Sequence, residues 1–175
     1  MIVISITDIF NYIDFIRYYD SIAILISSFY VLCIFLLRDY IVKDDIKLDR
    51  LVSLPVIVSM ILIGYLIYSI IDMAVPKVGD SPGSVAIIVI SALLFVAISF
   101  FIYISDRYEK SIYLFIAACC TLFVDALLAI NELYYYTRVF TILINIAEIA
   151  GLYFFTSFFI ETKNRDMELS EEEYF

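Results

Sequence analysis

The chain has 175 residues, 64% of them hydrophobic, a mean hydropathy of +1.00 and a formal net charge of −9. That apolar content lies far outside the range of a soluble domain, and the acidic balance argues against nucleic-acid binding through a basic surface. Histidine is absent, which removes Ser-His-Asp and Cys-His nucleophiles and the usual imidazole metal ligands.

The expected fold is all-α, a polytopic membrane helix bundle with five spans preceded by an interfacial helix. Residues 1–18 place Ile6, Ile9, Phe10, Ile13 and Ile16 at helical spacing among Asp8, Asn11 and Asp14, which suits a helix lying in the membrane surface. The first span covers 20–37, just long enough for a hydrocarbon core of ~30 Å. A polar loop with Arg38, Lys43, Lys47 and Arg50 follows. The second span, 51–75, has Pro55 in its first turn, where the missing N–H is tolerated, and Pro76 just past its end. Gly79, Asp80, Pro82 and Gly83 mark a turn. The third span is 84–105, the fourth 111–134 and the fifth 139–160, with Tyr134, Tyr135 and Tyr136 between the last two as an aromatic belt. Residues 1–160 form one membrane domain, and 161–175 read as an acidic cytoplasmic tail without regular structure, holding six of the twenty acids.

Cys33, Cys119 and Cys120 all fall in apolar runs and form no CxxC pair, so they read as packing residues. Of the eleven Lys and Arg, eight fall on the side of loop 38–50 and the tail and three on the other. The positive-inside rule therefore puts the N-terminus outside and the C-terminus in the cytoplasm.

Two carboxylates interrupt the last two spans, Asp125 and Glu148. An ionisable side chain inside a membrane is costly unless paired, hydrated or protonated, and so marks a candidate site. Counted from the Tyr-rich connection, both lie roughly 14 Å below it on antiparallel neighbours. Glu132 shares the face of Asp125, while Asn145 and Thr141 lie one and two turns from Glu148. Ala126, Ala129, Ala147, Ala150 and Gly151 allow close approach of the two helices. Two facing carboxylates in unequal surroundings can hold one proton and one charge, the arrangement general acid/base chemistry uses. A cation site or a proton relay would use the same pair. A plainer reading has Asp125 and Asn131 hydrogen-bonding between helices and Glu132 at the wet interface.

The stretch LFVDALLAINELYYYTRVFTILINIAEIAGLYFF, with Asp125, Leu127, Leu128, Asn131 and Tyr153, resembles the C-terminal hairpin of the YhhN family of membrane proteins, which includes the lysoplasmalogenases. Val124 stands where that family usually has Ser, and Glu148 and Leu152 where Tyr and Gln would be sought. The resemblance implies a reduced, YhhN-like hydrolase of lysoplasmalogen-type ether lipids in a bacterial inner membrane. Asp125 and Glu148 are its catalytic candidates, and Asn131, Glu132, Asn145 and Tyr153 its substrate-binding ones. It implies no cofactor and no metal. Membrane lipids are the expected partners, with a second copy of the chain or a helix-supplying partner as further ones. The alternative is a non-catalytic membrane module, meaning a sensor, an assembly subunit or a lipid-binding protein.

Overall fold

The structure is a computed structural model that describes residues 6–7, 10, 15, 17–41, 54–77, 82–105, 108 and 110–172, with backbone alone for 163–172 and for parts of 54–62 and 73–74. Five long helices make up the fold: α1 Tyr19–Leu37, α2 Leu54–Ala74, α3 Pro82–Ser105, α4 Ser111–Leu133 and α5 Arg138–Glu172. A 3₁₀ turn, Arg38–Tyr40, extends α1, and no strand occurs among the described residues. The chain is therefore an all-α helix bundle. Four of its helical stretches are long and apolar enough to cross a membrane, Tyr19–Tyr40, Pro82–Ser105, Ser111–Leu133 and Arg138–Thr162, which makes it an integral membrane protein. Where hydropathy leads one to expect five spans, the remaining helix, α2, contributes the shorter apolar stretch Ile63–Asp72.

The helix limits follow from local chemistry. Pro82 opens α3, and Pro55 sits at the second position of α2, where neither ring costs an intrahelical hydrogen bond. Pro76 lies two residues beyond Ala74 and prevents continuation. The apolar span of α5 ends at Thr162, close to the expected 160, and the helix continues through the acidic segment to Glu172. That stretch has no Gly or Pro to stop a helix. Most of the expected interfacial helix and of loops 38–50 and 78–83 lies outside the described residues.

Packing divides the bundle into two ends. At one end, Phe15, Tyr19, Ile22, Val85, Ala129 and Leu133 form a buried cluster with Ile70 against it. At the other, Tyr30, Leu37, Ile102, Leu114 and Phe158 anchor a larger core, with Tyr40 stacked edge-on against Phe158 and Phe159. A hydrogen bond of 2.6 Å from Ser84 Oγ to Asp20 Oδ1 joins the first turns of α1 and α3. Lys110 Nζ stands 3.4 Å from Glu161 Oε2, beside the start of α4; this exposed ion pair adds little to stability.

α4 and α5 form the tightest pair. A Cβ placed on Gly151 would lie 3.2 Å from Cys120 Cβ and 3.7 Å from the Ala117 carbonyl, so the absence of a side chain there sets the spacing of the hairpin. Gly64 on α2 has nothing within 4 Å. We predict that Gly151→Val destabilises the protein by about 1–3 kcal/mol through overpacking, read as a lower thermal unfolding midpoint in detergent. Gly64→Ala should leave that midpoint unchanged or raise it.

Candidate functional site

A cavity of about 500 Å³ opens between α1, α3, α4 and α5. Its walls come mainly from stripes on α1, α4 and α5. Ala117, Thr121, Val124, Asp125, Leu128, Asn131 and Glu132 line it from α4; Thr141, Ile144, Asn145, Glu148, Gly151, Leu152 and Phe155 line it from α5. Both sets advance by three or four residues, the repeat that keeps side chains on one helical face. α1 supplies Ile26, Phe29, Tyr30 and Cys33, and α3 supplies Phe95; Thr7 and Tyr136 complete the lining.

The register of the hairpin sets the two carboxylates near one level. Gly151 faces Cys120, so in an antiparallel pair Phe123 comes level with Glu148. Asp125 then lies about two residues of rise, ~3 Å, from that level. Along the cavity, polarity changes with depth. Glu132, Asn131, Thr141, Asn145 and Tyr136 cluster toward the α4–α5 connection. Asp125 and Glu148 sit midway, and Cys33, Phe95, Ala117 and Phe155 give the far end mainly apolar surface, with Thr121 the polar side chain nearest it. Among the described residues no Lys or Arg belongs to the lining.

Asp125 is tied to a different helix from the one its spacing suggests. The Tyr30 hydroxyl on α1 donates a hydrogen bond of 2.5 Å to Asp125 Oδ2, and Tyr30 is only 2% exposed. Its ring is held between Phe29 and Phe95, with centroids 5.7 and 5.6 Å away. A carboxylate held by a hydroxyl at this distance is a strong, charge-assisted arrangement, and it offsets part of the cost of burial.

Asn131 uses both ends of its amide locally. Its Nδ2 donates to Glu132 Oε1 at 2.8 Å, and its Oδ1 accepts from the Thr137 backbone N–H at 2.9 Å. The Tyr134 and Tyr135 N–H groups both return to the Ile130 carbonyl, which gives one of the last carbonyls of α4 two donors. Asn131, at 3% exposure, is thus the pin of the turn as well as part of the cavity wall. Glu132, Asn145 and Glu148 all border the cavity. Thr141 does too, and its buried Oγ1 has no hydrogen-bond partner among the described residues.

Tyr153 sits apart from the others. It is 64% exposed and touches Phe154 rather than the cavity, because position 153 is about 100° around α5 from the lining residue Leu152. Tyr134, Tyr135 and Tyr136 are exposed at the connection, with Lys77 Nζ 5.2 Å above the Tyr134 ring, a cation–π contact suited to a membrane surface.

Spacing within the last two spans does not reveal Tyr30. The only sequence signal for it is a phenol in the middle of an apolar span, which requires a partner when buried. Among the described residues no three His, Cys, Asp or Glu side chains converge as a metal-ligand set. Chemically, the cavity offers carboxyls, amides and hydroxyls beside an apolar chamber, a combination that can bind the polar end of an amphiphile and transfer protons to or from it. No family model, no curated protein and no solved structure matches this chain.

Replacing Asn131 with Ala should leave the half-buried Thr137 amide without its acceptor, a loss of about 1 kcal/mol. Hydrogen exchange at Thr137 is the direct check: slow in the wild type, fast in the variant.

Proposed function

We propose that this protein is an intramembrane hydrolase of lysoplasmalogen-type ether lipids, a reduced relative of the YhhN family, with Asp125 and Glu148 as its acid/base pair. One observation carries the reading: both carboxyl-bearing side chains border a single cavity of about 500 Å³ whose inner end is apolar. That size falls within the range of small-molecule sites, ~300–1,000 Å³. The polar end suits a glycerol backbone and the apolar end the start of a hydrocarbon chain.

The chemistry asks for a proton donor and a proton acceptor. One carboxyl delivers a proton to the β-carbon of the vinyl ether, leaving an oxocarbenium ion whose charge the other carboxylate stabilises. Water adds to the α-carbon and gives up its proton to that carboxylate. The hemiacetal so formed gives its hydroxyl proton to the first carboxylate, restoring that acid, while its bond to the glycerol oxygen breaks and that oxygen takes the proton held by the second carboxyl; the products are an alcohol and a fatty aldehyde. Water is the only co-reactant, and the proton inventory closes. Glu132 and Asn145 lie along the polar wall, where they can hold hydroxyls of the substrate. Tyr153 belongs to the lipid-facing side in this reading and takes no part.

The orientation proposed from the distribution of Lys and Arg, N-terminus outside and C-terminus in the cytoplasm of a bacterial inner membrane, opens the polar end of the cavity toward the outer leaflet.

A second reading has a specific observation in its favour. Asp125 is already engaged by Tyr30, as expected of a carboxyl that shapes a lipid-binding chamber without turning anything over.

Aldehyde release from a lysoplasmenyl lipid, measured with purified protein in vesicles, separates the two. On the hydrolase reading the wild type releases aldehyde, and Asp125→Asn and Glu148→Gln each lose about 10²–10⁴-fold. Saturable binding of the lipid without aldehyde would favour the binding module. Full activity in Asp125→Asn would remove that residue from the mechanism.

A further inference from the structure

We infer that Tyr30 is the positioning residue for Asp125: its hydroxyl pins Oδ2 and thereby aims Oδ1 into the cavity. Only the kinetic consequence of this inference rests on the hydrolase reading above.

The geometry that supports it begins with the tyrosine. Tyr30 is 2% exposed and packs against rings on two helices, Phe29 on α1 and Phe95 on α3, so its hydroxyl has one position set by both. Asp125 comes from α4 and borders a chamber of about 500 Å³. Asp125 is half-buried, with apolar side chains such as Ile26 and Leu128 beside it, none of which offers its carboxyl a polar partner to choose between rotamers. The hydrogen bond of 2.5 Å makes that choice. Thr121 lies one turn before Asp125 on α4 and lines the same chamber, but its hydroxyl donates to the Ala118 carbonyl at 2.9 Å, which leaves the Tyr30 hydroxyl to Asp125. Taking Oδ2 out of play assigns the exchange of protons with a bound molecule to Oδ1. The fixed carboxyl also explains why a catalytic or binding group could be built at the edge of a cavity instead of within a packed interface: precision comes from the tyrosine rather than from surrounding atoms.

Tyr30→Phe keeps the ring and removes only the hydroxyl. With the lysoplasmenyl substrate, kcat should fall about 10–100-fold with little change in KM, the signature of a displaced reacting group rather than of weakened binding. Combined with Asp125→Asn, it should cause no further loss, because a residue acting through Asp125 has nothing left to act on. Asp125→Glu, which retains the acid but moves it off the tyrosine, should lose activity to a similar extent and serves as the second variant should Tyr30→Phe fail to fold. An infrared measurement needs no substrate: the Asp125 carboxyl band, recognised by its disappearance in Asp125→Asn, should shift in Tyr30→Phe. An unshifted band overturns the inference outright. A shifted band with unaltered kcat overturns the positioning role in the reaction. If the wild type releases no aldehyde, the hydrolase reading fails, and the infrared band alone decides whether Tyr30 fixes the carboxyl.

Discussion

A carboxyl group in hydrocarbon is the constraint on which the rest of this structure depends. At the centre of a bilayer a charged side chain costs several kcal/mol, so a stable bundle must give it hydrogen bonds, water or a proton. Here Asp125 receives the hydroxyl of a tyrosine from another helix and borders an open chamber. Both solutions demand space and accuracy together. α4 and α5 can pack closely at Gly151 and Cys120, yet one or two turns nearer the connection their facing side chains diverge around the cavity. α1 and α3 then serve as the opposite wall, with Phe95 and Tyr30 both in the buried core and in the lining.

Much of the architecture could be read from hydropathy and spacing. Helix limits in the structure fall within three residues of the expected ones at every end except the last, because Pro55, Pro76 and Pro82 and the polar loops punctuate the sequence strongly. α5 continues as a helix beyond its apolar span, Arg138–Thr162, since the acidic segment after Ile160 carries good helix formers and no stop. The common face of Asp125 and Glu132, and that of Thr141, Asn145 and Glu148, follows from a repeat of three and four residues, and these side chains do border one cavity. Such periodicity acts within a helix and its sequence neighbour. It has no access to a contact spanning 95 residues, which is how Tyr30 escaped it. Tyr153 illustrates the opposite case: its candidacy came from resemblance, whereas its phase on α5 leaves it exposed outside the cavity lining.

Asn131 shows how one side chain can unite fold and site. Its amide closes the turn through Thr137 and orders Glu132 at the cavity wall. The depth of the carboxylates is counted from that same turn, so a loosened connection would blur the register on which the cavity depends. Among the described residues the lining holds carboxyls, amides and hydroxyls together with apolar side chains.

The central claim is that this chamber, and not the outer surface of the bundle, holds a lipid. Photo-crosslinking with a single-chain ether lipid carrying a diazirine near its glycerol tests it most directly, with adducts located by peptide mass spectrometry. The account predicts labelling on the inward stripe, at Val124, Leu128, Ile144 and Leu152, competed by unmodified lipid. Labelling confined to the outward residues Ile142, Ile146 and Ile149, without competition, would contradict it.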